Sequence, residues 1–166
     1  MKDFVKKILV AINGTENSIH AAMYAIMLAK SYNAQLKFIY VVDSATIRYL
    51  GINKVLIKEE QQDFTTDLNS EGKNSLDYAK SLARLKGLNA ETELLKGNVS
   101  TQIVMAAEKY KADILILGGK EKTKANVYHS PARNVLSNHR TEVLLNAKCP
   151  VLMVQKPDIE SLFKLF

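Results

Sequence analysis

The chain has 166 residues, 47% of them hydrophobic and 24% charged, with a formal net charge of +6. That length suits one domain with a sizeable core, and no apolar run approaches the roughly 20 residues that cross a bilayer. The single Cys149 excludes an internal disulfide and points to a reducing cytoplasm, and the charges in MKDFVKKILVAING set aside a signal peptide.

KKILVAI (6–12) is a short apolar run bounded by Asn13-Gly14 and is expected to be a buried strand. Residues 15–32 follow with Ile19, Ala22, Met23, Ile26 and Ala29 at the spacing of one helical face. Thr15 is the expected N-cap, with Glu16 favoured by the helix dipole. AQLKFIYVV (34–42) is a second strand, apolar on both faces in its last half, as in parallel sheets. Residues 43–58 are expected to be a looser linker with helical fragments. A long amphipathic helix then runs from about Glu60 to Lys86 and stops at Gly87, a C′ residue.

AETELLKG (90–97) is strand three, VSTQIVMAAEKYK (99–111) a helix with Ile103, Val104 and Ala107 inward, and ADILILGG (112–119) strand four. A helix falls within 131–146 and CPVLMVQK (149–156) is strand five. In the tail 157–166, Asp158 is placed to cap a short helix with Ile159, Leu162, Phe163 and Phe166 on one stripe, docking on the body or a dimer mate. The expected organisation is one α/β domain over 1–156 plus this tail. Alternation of helices and buried strands predicts a doubly wound parallel sheet with right-handed crossovers, whose ligands bind beyond the carboxyl ends of the strands. INGTE (12–16) and the segment after strand four are therefore the places to look.

Between Gly118 and Lys148 the cations Lys120, Lys122, Lys124, Arg133, Arg140 and Lys148 outnumber Glu121 and Glu142. This basic stretch is a solvated loop or an anion-binding patch for nucleotide, nucleic acid or an acidic partner. Nucleic acid is disfavoured, because only Tyr128 stands near it as an aromatic platform.

Four segments, in order over residues 5–156, together resemble the universal stress protein family. They are KKILVAINGTENSIHAAMYAIMLAK, LKFIYVVD, LLKGNVSTQIVMAAEKYKADILILGG and NAKCPVLMVQK. The resemblance implies a five-stranded parallel sheet of order 3-2-1-4-5, a homodimer through the last strand and C-terminal region, and cytoplasmic stress-related roles. It also implies one of two branches, of which one binds ATP through Gly-x₂-Gly-x₉-Gly-Ser/Thr after strand four. There the glycines let backbone N–H groups close on phosphate at a helix N-terminus.

On that pattern Gly118 matches the first glycine, but Glu121 stands at the second, where a carboxylate repels phosphate. The terminal Gly-Ser falls on Ser137-Asn138, or on Asn138-His139, and the loop is about six residues longer than the pattern. In another alignment HSPARNVL (129–136) opens the helix with Ser130 in the serine position, and SPAR resembles the non-ATP branch. Asn13 replaces the Asp of nucleotide-binding members, keeping an acceptor but losing the charge. Ala11, Asn13, Gly14, Thr15 and Val42 fall where family members contact adenosine, and Gly118 and Gly119 admit close backbone approach.

The resemblance with these departures implies a non-catalytic, dimeric stress-response protein with weak or no ATP binding and a possible protein partner. The alternative is a regulatory module binding ATP or AMP through the basic 118–138 segment. There is no phosphate-loop or dinucleotide fingerprint, and no catalytic couple or metal set is expected; slow ATP hydrolysis is the enzymatic alternative. Cys149 is expected to be a packed thiol; His20, His129 and His139 are scattered at no metal-ligand spacing, and His129 and His139, in or near the loop, are read as surface residues. Asp113 is expected to serve the turn into strand four.

Overall fold

The computed structural model describes residues 4–120 and 131–166, over 131–138 in backbone only. Five strands, β1 (Lys7–Ile12), β2 (Gln35–Val42), β3 (Glu91–Lys96), β4 (Ile114–Gly118) and β5 (Val151–Val154), form one sheet of order β3-β2-β1-β4-β5. Every neighbouring pair is parallel. Six helices accompany them among the described residues: α1 (Glu16–Tyr32), α2 (Ser44–Ile52), α3 (Lys58–Leu85), α4 (Val99–Tyr110), α5 (Pro131–Asn146) and α6 (Ile159–Leu165).

The two-residue period of the strands divides the core. Ile8, Val10 and Ile12 of β1 pack with Phe38 and Tyr40 of β2 and Ile116 of β4 against α1, α3 and α6. Leu9, Ile39, Leu115 and Leu117 face the other way, with Ile103 of α4 and Val143 of α5. Both faces of the central strands are covered, which is why they read as continuous apolar runs.

Local signals set the helix ends. Thr15 caps α1 by accepting from the Ser18 amide at 3.3 Å, and Asn33 closes that helix in the left-handed region at φ 53°. Gly87, at φ +77°, follows α3 as expected of a C′ residue. The stretch 43–58 is more ordered than a linker: Asp43 Oδ1 accepts from the Thr46 amide at 3.0 Å and nucleates α2. Asp113 stands at the opposite end of the sheet, where its Oδ2 accepts from the amides of Lys6 and Lys7 at 2.8 Å each. It thereby joins the start of β1 to that of β4.

The tail folds back on its own chain. Ile159 and Phe163 of α6 are buried in the α1–α3 side of the core, and Lys86 stacks 4.7 Å from the Phe163 ring. Asp158 occupies the N-cap position without a side-chain capping bond, and Leu162 and Phe166 remain partly exposed, so the buried stripe is narrower than expected. A polar contact adds to it: His20 Nε2 lies 3.2 Å from Glu160 Oε1. Among the described residues no helix is long and apolar enough to cross a membrane.

Candidate functional site

The strand order reverses between β1 and β4, and a cavity of about 340 Å³ opens at that point beyond the carboxyl ends of β1, β2 and β4. Its floor is Ala11, Val41, Val42 and Leu117, and its walls are Ile47 and Leu50 of α2, Phe64 and Leu68 of α3, and Val99 and Ile103 of α4. The interior is thus largely apolar. Polar groups enter at its edges: Asn13, Thr15 and Ser18 from the turn after β1, Asp43 after β2, Glu71 of α3, and His139 and Arg140 of α5.

The turn after β1 is closed on itself. Asn13 Oδ1 accepts from the Thr15 amide at 3.3 Å and from its hydroxyl at 2.7 Å. Ser18 Oγ accepts from the Asn13 amide at 3.3 Å and donates to the Thr15 carbonyl at 2.8 Å. Gly14 sits in this turn at φ +77°, a conformation that side chains with a Cβ rarely adopt.

β4 ends against the start of α1. A Cβ on Gly118 would fall 2.8 Å from the backbone carbonyl carbon and oxygen of Asn17 and from the Ser18 nitrogen, so only glycine fits. The Gly118 carbonyl accepts from Arg140 Nε at 2.9 Å, which fixes a guanidinium at the cavity wall. Gly119 frames the site without lining it, donating its amide to the Val154 carbonyl at 2.9 Å and accepting from Asn17 Nδ2 at 3.3 Å.

His139 is 8% exposed, and neither ring nitrogen has a hydrogen-bond partner among the described residues. Asp43 Oδ2 lies 3.9 Å from Nε2 and Glu142 Oε2 lies 3.6 Å from Nδ1, close enough to attract but too long to bond. Each carboxylate is engaged elsewhere. Asp43 Oδ2 accepts from the Thr46 hydroxyl at 2.6 Å, and Glu142 accepts from Ser100 Oγ of α4. The Ser100 hydrogen bond holds the Glu142 carboxyl below its usual range, with the His139 ring adding in the same sense and partial burial opposing.

Of the residues singled out from sequence, Ala11, Asn13, Thr15, Val42 and Gly118 line this cavity, while Gly14 and Gly119 shape its turns. α5 opens at Pro131, so Ser137 and Asn138 fall inside the helix rather than at its start; their side chains, and Ser130, His129 and Glu121 entirely, lie outside the described residues. His139 is not the surface residue its neighbourhood suggested. The available signal was its spacing in the sequence from Leu136 and Val143, since apolar residues three before and four after mark an inward helical face. Arg140, one of the cations of the basic stretch, reaches the cavity wall, while Asp43 and Glu71 are site residues that the sequence reading did not include. Cys149 is half-buried beside the smaller core cluster, and burial pushes its thiol up, consistent with a packed rather than reactive group.

The universal stress protein family model matches residues 5–155 of the chain. The chain is 34% identical over 160 residues to universal stress protein MJ0531 of Methanocaldococcus jannaschii, covering 96% of this chain and 87% of that protein. Among solved structures, a universal stress protein family member from Burkholderia pseudomallei superposes with a TM-score of 0.70 at 22% identity, covering 94% of this chain and all of that one. The universal stress protein from Archaeoglobus fulgidus in complex with dAMP gives 0.61 at 17% identity, covering 92% and 99%. The five-strand order, the cavity at its reversal and the match over almost the whole length agree: this chain belongs to the universal stress protein family.

Proposed function

We propose that this chain is a non-catalytic, homodimeric regulatory protein of the cytoplasmic stress response whose cavity takes the nucleoside end of an adenine nucleotide and grips a triphosphate weakly or not at all. The observation that carries this reading is the apolar cavity at the strand-order reversal with two carboxylates, Asp43 and Glu71, at its edges. An apolar slot of this size suits a base and sugar. Carboxylates repel phosphate but accept hydrogen bonds from hydroxyls. That the Archaeoglobus fulgidus protein of the same fold is in complex with dAMP supports an adenine nucleotide as the class of ligand.

The engagements of the polar groups support a regulatory role. His139 faces two carboxylates, and Ser100 donates to Glu142 rather than to the histidine, so the pair does not form a base and nucleophile. Dimerisation is supported by β5, an edge strand whose Leu152 is 36% exposed. A second reading, phosphate held by the basic 118–138 segment, draws support from Arg140 just beyond it, whose guanidinium is fixed at the cavity wall by the Gly118 carbonyl.

Calorimetric titration with adenosine, AMP and ATP–Mg²⁺ at low and moderate salt tests both. Comparable affinities for adenosine and AMP, with ATP no tighter, are expected. A much tighter, salt-sensitive ATP constant would move the conclusion to the second reading. Absence of binding by all three would refute any nucleotide role for the cavity.

A further inference from the structure

Most polar atoms around the cavity are already spent on one another. Asn13 and Thr15 bond within their turn, Ser18 bonds to both, and Asp43 holds the start of α2. Glu71 differs. It is exposed, lines the cavity, and has no hydrogen-bond or ion-pair partner among the described residues. α3 carries it over the exit of β1, where its Oε1 lies 2.9 Å from the position that a Cβ on Gly14 would take. The glycine therefore leaves room for a carboxylate from another helix above the turn.

We propose that Glu71 accepts hydrogen bonds from the hydroxyls of the ligand's sugar, making the cavity discriminate against nucleosides whose sugar lacks them. The inference rests on the nucleoside reading above. A carboxylate offers two oxygens and several lone pairs, so both hydroxyls of one diol can donate to it in charge-assisted bonds. An acidic side chain reading ribose hydroxyls at a strand-order reversal is a known solution in doubly wound sheets. Here the acid comes from α3, because the residue at the end of β1 is Asn13 and its oxygen is occupied. Tyr40 lines the same end of the cavity. Burial, with the Glu71 charge adding to it, pushes its phenol up to about 12, so the hydroxyl stays protonated beside the carboxylate.

The test is calorimetric titration of full-length protein with adenosine and 2′,3′-dideoxyadenosine, in the wild type, Glu71→Ala and Glu71→Gln. The wild type is expected to prefer adenosine by about tenfold, the scale of a lost hydrogen bond to a charged group. Glu71→Ala should bring adenosine down to the dideoxy level and leave the dideoxy affinity unchanged. Glu71→Gln, which keeps one neutral acceptor, should fall between. Because Glu71 is exposed, unchanged melting temperatures are expected.

Equal adenosine affinity in the wild type and Glu71→Ala would overturn the assignment and leave the nucleoside reading standing. A wild type that binds neither adenosine nor AMP would overturn both.

Discussion

Replacing His139 with leucine should make the protein more stable. The ring is 8% exposed and lacks a hydrogen-bond partner at either nitrogen among the described residues. A neutral imidazole carries one N–H and one acceptor, and leaving such groups buried and unpaired costs about 1–3 kcal/mol. Leucine removes that penalty, and the two facing carboxylates keep their own donors, Thr46 and Ser100. Imperfect filling of the space by a differently shaped side chain offsets part of the gain. The net expectation is a stabilisation of about 1–2 kcal/mol, or about 2–8 °C in melting temperature for a chain of this size. Urea denaturation followed by circular dichroism, with an unchanged slope, measures it. A loss of about 1 kcal/mol or more would refute the reasoning. It would mean that the attraction of Asp43 and Glu142 across 3.9 and 3.6 Å outweighs the missing hydrogen bonds.

Gly118→Ala should destabilise by about 1–3 kcal/mol, because its Cβ would meet the Asn17–Ser18 backbone at 2.8 Å and rigid backbone yields little; a lowered urea midpoint checks it. Tyr40 has its folded pKa raised to about 12 from 10.0, so its contribution is complete below pH 10 and lost as pH rises through the folded value. Between pH 10 and 12 the wild type should lose about 2–3 kcal/mol relative to Tyr40→Phe, measured as the difference between two denaturation series. Phe163→Ala should release α6 and cost at most about 3 kcal/mol, since a terminal helix can detach before the whole penalty of a core truncation is met. Hydrogen exchange should then show lost protection confined to residues 159–165.

What could be read from sequence was whatever local chemistry decides. β1 and β4 are apolar on both faces and bounded by glycine, and Thr15 precedes an apolar helical stripe, so their places follow from period and cap. Glu71 was hidden because it belongs to the polar run SEGKNS, which composition alone reads as a solvated face. The hint was Gly72, an unfavourable residue within a helix. A Cβ there would come within 2.6 Å of Leu94 and 2.8 Å of Tyr40, so the glycine brings α3 down onto the sheet and carries its neighbour to the cavity. Asp43 is not legible as a site residue because a strand followed by an acid gives no sign of which way the chain turns. Only the capping bond to Thr46 sets α2 against the cavity.

The contacts of α6 along α1, from Glu160 with His20 to Phe166 with Lys30, fix where anything attached to the carboxyl terminus will sit. Ser18 belongs to the turn framing the cavity, and His20 lies roughly one helical turn, about 5.4 Å of rise, beyond the start of α1. A fluorophore placed at the start of α6 near Glu160 would therefore sit on the part of α1 nearest the cavity. However, α6 then runs back along α1 until the Phe166 ring lies 5.6 Å from Lys30 in that helix's last turn, so a carboxyl-terminal fusion begins away from the cavity. Reporter fusions on this scaffold can therefore be joined at either end, because β1 also enters from the end of the sheet away from the cavity, where Asp113 holds Lys6 and Lys7.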